Sequence, residues 1–469
     1  MGAPGDVPCR VPASKRTVVG PTRTGRAGIV AALTLVLVSS SRPALAHGVG
    51  GLSTLPAPLS FFLAGVATLL VVLFAGLAVW WPLPRWQEKP AVKAIRVPGW
   101  RLVVMVLRTL AVGSVIVVVV AGLIGPPNSV RNPAPALVWV GFWLALPLMG
   151  ALLGDIYHLL NPWRSLARIF RVGPSNPPGA IRGGIWAATV AFLGFVWFEV
   201  VYPQPAHPRH LAVVAVGYTV ALLGACEWLG RPAFDQIDPF TTYNRLISAM
   251  APFQLEPDRG PGWRGWLRGL LEVDEPPGLA AFAVAMVGSV VFHGLSGFAW
   301  YETSFGGFGR SIFGGTLLLA LAVSLVGAGY WMACRWMASQ ALGETTARVA
   351  RRFAPALVPI AFAFMMAHYS TVLLFEGQLL LSTLSDPFGL GWDLFGTAGR
   401  PVNFDFVSPF VIWWGQVFAI VAGHLVAMVL VHERSLQDFD GLSAARGRRG
   451  FLLVFVVLAG AGLTIVSYG

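Results

Sequence analysis

Ten apolar runs punctuate the chain, at 58–81, 102–124, 135–156, 183–202, 210–230, 279–300, 313–335, 354–382, 409–431 and 451–468. Each is close to the roughly 20 residues that an α-helix needs to cross about 30 Å of hydrocarbon. In lipid every backbone N–H and C=O must be satisfied within the structure, which makes such runs helices. The expected fold is all-α, a polytopic integral membrane bundle of about ten transmembrane helices. Composition agrees: 12% of the 469 residues are charged and 56% are hydrophobic, whereas a soluble domain is about 25% charged. The 18 Trp suit a bundle anchored at headgroup level, where the amphipathic indole settles.

Residues 1–46 have the form of a signal peptide. Lys15, Arg16, Arg23 and Arg26 precede the apolar stretch 27–40, and "ALA" at 44–46 supplies the small residues a signal peptidase requires. Cleavage there leaves 47–469 as a single transmembrane domain beginning at His47; an uncleaved anchor helix is the alternative. The net charge of +12 does not call for nucleic acid, because its distribution follows the membrane. With the mature N-terminus outside, the loops 82–101, 157–182, 231–278, 336–353 and 432–450, with Arg335, carry 22 Lys and Arg. The opposite loops carry only Arg131, Arg209, Arg310 and Arg400. This asymmetry places the arginine-rich side in the cytoplasm and the protein in the cytoplasmic (inner) membrane.

Two connections are long. The stretch 231–278, containing "GPGWRGWLRGLLEVDEPPG", reads as an interfacial cytoplasmic segment with a short amphipathic helix. The external loop 383–408, rich in Gly, Pro and Asp, reads as a structured loop or lid. Cysteine offers nothing for a disulfide framework: Cys9 lies in the leader, and Cys226 and Cys334 lie in or beside apolar segments.

The informative residues are the ionisable ones at depth, since lipid rejects them unless a partner, cavity or function holds them. His293, His368 and His424 each fall near the fifteenth residue of their run, at similar depth. Glu376 lies eight residues after His368, and Gln416 eight before His424 on an oppositely directed helix. A histidine layer is thus expected beneath a Glu/Gln layer. Three imidazoles with an open position make a catalytic metal centre able to lower the pKa of a bound water, the divalent transition metals in question being Zn, Cu, Fe or Co. Three separate histidines bonding backbone carbonyls are the alternative.

A second candidate pair, Asp155 and His158, lies three apart in "LLGDIYHLLNPWRSL". It suits a metal or proton site, or a helix end closed by Asn161-Pro162. A free N-terminal His47 would offer both amino and ring nitrogens to one ion. Arg108, inside the second run, requires a partner, and an ion pair is expected. Nucleophilic serine elbows, phosphate-binding glycine loops and HExxH helices are not evident.

The segments 353–398 and 413–436, together with "ALAHGVGG" (44–51) and "GDIYHLLNPWRSLAR" (154–168), resemble actinobacterial membrane proteins described as fenitrothion hydrolase-like. The resemblance spans most of the mature chain. It implies a membrane-bound hydrolase of organophosphorus triesters, and it puts His368, Tyr369, Glu376, Gln378, Asp386 and His424 inside matching segments. On that reading His293, His368 and His424 hold a metal, Glu376 acts as base or added ligand, and Tyr369 and Gln378 belong to the catalytic group. The partners would be the lipid bilayer and a small lipophilic substrate. A transmembrane metal-ion or proton transporter using the same buried His and Glu is the competing class, and haem held between two histidines a third.

Overall fold

A computed structural model describes residues 58–86, 92–174, 183–341 and 343–468. The leader and His47 lie outside the described residues.

The apolar runs form the expected helices. Among the described residues nine are long and apolar enough to cross a membrane: α1 Leu59–Trp80, α2 Trp100–Ile124, α3 Pro133–Leu153, then, after the short α4 Trp186–Val200, α5 Pro208–Leu229. After the buried α6 Pro239–Ser248 come α7 Leu279–Ser296, α8 Ile312–Ala338, α9 Thr346–Ser385 and α10 Pro409–Asp438. The last is α11 Gly441–Tyr468. The run at 183–202 yields only the 15 residues of α4, about 22 Å of helix, so α4 falls short of spanning by itself.

Polar side chains mark where helices begin. Asn132 accepts the Ala134 N–H at 2.9 Å ahead of Pro133, and its amide donates to Ala121 O at 2.7 Å and Pro126 O at 2.8 Å. One fully buried side chain thus caps α3 and ties it to the end of α2. Ser311 and Ser408 cap α8 and α10 in the same way.

Without a hydrophobic force between helices in lipid, close backbone approach supplies the packing, and small residues permit it. A Cβ at Gly122 of α2 would stand 2.6 Å from Pro208 O and 2.7 Å from Ala212 Cβ of α5. At Gly423 of α10 it would stand 2.4 Å from Ala363 Cβ and 2.7 Å from Pro359 O of α9. Two helices widen into π-helical turns: α3 over Ala136–Ala145 and α9 over Val372–Glu376. Such bulges often mark functional positions.

The segment 231–278 departs from its expectation. Its Trp- and Arg-rich portion forms no amphipathic helix; Gly260–Trp263 is a strand and Arg268–Leu271 a single 3-10 turn. Gly-Pro-Gly at 260–262 disfavours helix. β1 Lys93–Ala94, β2 Phe253–Glu256 and β3 Gly260–Trp263 make a small antiparallel sheet in the order β1-β3-β2. Lys93 and Phe253 pair with Trp263 from either side. The segment's helix lies upstream instead, as α6, and it is buried among α3, α4 and α9.

Asp238 explains that burial. Its carboxylate is wholly buried and accepts from Tyr218 Oη at 2.7 Å, Thr241 Oγ1 at 2.7 Å, the Phe240 N–H at 2.9 Å, Tyr157 Oη at 3.1 Å and Asn161 Nδ2 at 3.2 Å. Five neutral donors from three stretches of chain replace water around one carboxylate.

Candidate functional site

α4, α7 and α9 run in the same direction through the bundle, and each brings one polar side chain to a common point facing α3. Tyr369 of α9 donates its hydroxyl proton to Glu199 Oε1 of α4 at 2.7 Å. The same carboxylate oxygen accepts Trp143 Nε1–H of α3 at 2.9 Å. His293 Nδ1 of α7 meets the Tyr369 hydroxyl at 2.5 Å. With Glu199 ionised, the phenol's single proton goes to the carboxylate and His293 donates at Nδ1, the tautomer that leaves its Nε2 lone pair bare.

His368, one residue before Tyr369, lies edge-on to His293 with ring centroids 4.6 Å apart. Its other side faces a small apolar pocket lined by Val290, Phe364, Ile420 and Ile465. Trp143 also stacks on Tyr243 of α6 at 5.0 Å and 22°, and Phe192 stacks on Tyr243 from α4. The carboxylate end of the network is thereby enclosed by aromatic rings, while the histidine end meets a pocket.

His293, His368 and Tyr369, expected from sequence, therefore come together; His424 does not join them. Its Nδ1 is taken by Ile420 O of its own helix at 2.7 Å. Its ring lies among Phe364 and Phe455, with Nε2 buried and without a hydrogen-bond partner. Among the described residues no group of three or more His, Cys, Asp or Glu converges as metal ligands would. Among the described residues the arrangement does not bring the three histidines together as one centre.

Glu376 closes the π-helical turn of α9 and is exposed. Gln416 does reach α9, donating to Ser370 Oγ at 2.8 Å. Gln378 holds the loop: its amide nitrogen donates to Asn403 O and its oxygen accepts the Asn403 N–H, both at 2.9 Å. That reciprocal pair binds 383–408 onto α9 and commits the amide to structure. Asp393 orders the same loop by accepting the Ala398 N–H at 2.9 Å and the Ser385 hydroxyl at 2.7 Å. These bonds hold its carboxyl below the usual range. Asp386 accepts the Leu390 and Gly391 N–H groups.

The Asp155–His158 pair is a helix cap: Asp155 Oδ1 accepts the backbone N–H of His158 at 2.9 Å, and the histidine itself is exposed. Asn161 caps the following helix, Pro162–Ile169. Arg108 finds the carbonyl of Leu159 at 3.1 Å, where an ion pair was expected.

Glu199, Trp143 and Asp238 are not among the residues that the sequence pattern picks out for the site. The available signal for Glu199 was its position inside the apolar run 183–202; its partners lie 56 and 170 positions away, beyond any local pattern. Comparison of the chain with protein-family models, curated proteins and solved structures returns no match.

Proposed function

We propose that this protein is a membrane-embedded hydrolase of small, neutral, lipophilic esters, with organophosphorus triesters as the substrate class implied by the resemblance, and with His293 as general base. One observation carries the reading: the chain Glu199–Tyr369–His293 fixes an imidazole tautomer whose bare Nε2 faces away from its support. A base held this way takes a proton from water as the water attacks phosphorus and the phosphorus–oxygen bond to the aryl group breaks; Tyr369 with Glu199 stabilises the imidazolium that forms, which returns its proton to the departing aryloxide. The enclosing helices exclude bulk water, which strengthens each of these interactions. A neutral triester would arrive through the bilayer. The arginine-rich sheet end is assigned to the cytoplasm and the 383–408 loop to the outside.

The test is turnover of an aryl phosphotriester by protein purified in detergent. His293→Ala is expected to lower the rate by about 10²–10⁴-fold, with Tyr369→Phe and Glu199→Gln each lowering it less. Full activity in His293→Ala would overturn the proposal.

A second reading, passage of protons or cations, draws on the placement of the linked groups on three separate helices at membrane depth. Ion flux into proteoliposomes abolished by Glu199→Gln, with no ester turnover by the wild type, would favour it.

A further inference from the structure

Arg448 of α11 is 2% exposed, yet its Nε and Nη1 donors have no hydrogen-bond partner. No ion pair reaches it among the described residues. Its guanidinium lies over the ring of Phe74 of α1, 5.7 Å from the centroid. A buried cation with a single aromatic contact is a costly arrangement unless an anion completes it.

The surroundings identify that anion. Arg448 is three residues ahead of the apolar run 451–468, about 4.5 Å along the axis, at the boundary between hydrocarbon and headgroups. On either side of it, Gly447 and Gly450 bring α11 against Met337 and Ala333 of α8; the arginine points instead towards α1. That helix is peripheral, with only Leu70 and Leu77 buried along its 22 residues. Val71, Val72 and Trp80 of α1 and Leu442 and Leu453 of α11 are exposed. Both helices therefore expose apolar side chains towards lipid, and the exposed Arg446 and Arg449 place positive charge beside Arg448 in sequence.

We propose that Arg448 binds the phosphate of a phospholipid seated between α1 and α11. The guanidinium fork matches a phosphate oxyanion with two parallel N–H donors, the acyl chains follow the apolar flanks of the two helices, and the anionic headgroup gains from the neighbouring arginines. The site is separate from the His293 network and does not depend on the hydrolase reading.

The experiment is thermal unfolding of delipidated protein in detergent with phosphatidylglycerol, with diacylglycerol of the same chains, or with inorganic phosphate. Phosphatidylglycerol is expected to raise Tm by several degrees, as selective binding to the folded state does, with no rise from the other two. Arg448→Gln is expected to abolish the rise and Arg449→Gln to keep most of it. No rise in the wild type, an equal rise with diacylglycerol, or an undiminished rise in Arg448→Gln would overturn the proposal. Inorganic phosphate as effective as the lipid would overturn the lipid assignment. Should Arg448→Gln not fold, Arg448→Lys keeps the charge but loses the fork; a phosphatidylglycerol shift reduced by half or more supports the site, and an undiminished one overturns it.

Discussion

Tyr369 hands its hydroxyl proton to Glu199 at 2.7 Å, joining α9 to α4 across 170 positions of sequence. With Glu199 ionised, this bond decides the direction of the His293–Tyr369 hydrogen bond. With the phenol proton committed to the carboxylate, His293 is the donor at Nδ1 and the free acceptor at Nε2.

Removing the hydroxyl isolates both partners. Tyr369→Phe leaves the His293 Nδ1–H unpaired and Glu199 with Trp143 alone, and it is expected to cost about 1–3 kcal/mol of stability. The ¹⁵N resonances of His293, a single Nδ1–H tautomer in the wild type, should become those of a tautomer mixture. An unchanged spectrum would show that Tyr369 does not set the tautomer.

Asp238 should be among the least replaceable polar residues. Asp238→Ala strands the donors of Tyr157, Tyr218, Asn161 and Thr241 and is expected to cost more than about 3 kcal/mol. Asp238→Asn keeps an acceptor and should cost less. Midpoints of chemical or thermal unfolding give the order, and equal losses would contradict this account.

Gly423 sets the separation of α9 and α10. A methyl group there meets Ala363 Cβ at 2.4 Å, so Gly423→Ala must push the helices apart, at about 1–3 kcal/mol. Because His368 rides on α9, ester turnover should fall along with Tm. A fully active, equally stable variant would show that this contact is not tight.

The 383–408 loop carries a pH dependence of definite sign. The Asp393 carboxyl is held below its ordinary value by the Ala398 N–H and the Ser385 hydroxyl, so its ionised form favours the ordered loop. That contribution is present above about pH 4, the ordinary aspartate range, and is lost as pH falls through the lowered value. Hydrogen exchange at 385–398 should be slow at pH 6 and accelerate, after correction for intrinsic rates, only in strong acid. Asp393→Asn should accelerate it at pH 6.

His424 should be dispensable for any bound metal. Among the described residues it joins no group of three or more His, Cys, Asp or Glu with His293 and His368. Elemental analysis of His424→Ala should match the wild type. A metal present in the wild type and lost in this variant would restore the three-histidine centre.

What the sequence determined by itself was the membrane architecture. Long apolar runs leave the backbone no alternative to helix in lipid, and Asn161-Pro162 and Ser408-Pro409 mark helix ends through contacts only a few residues apart. The depth of His293 and His368 could also be counted, because rise per residue is constant. Tertiary structure alone decided which polar groups meet. Rotation about each axis depends on packing and on the π-helical turns of α3 and α9, and Glu376, at the end of one of those turns, is exposed. Glu199, Trp143 and Asp238 acquired their roles from partners on other helices, and helix packing set the His424 ring among Phe364 and Phe455. A bundle buries polar groups by pairing them across helices, and a single chain read in order carries no record of those pairings.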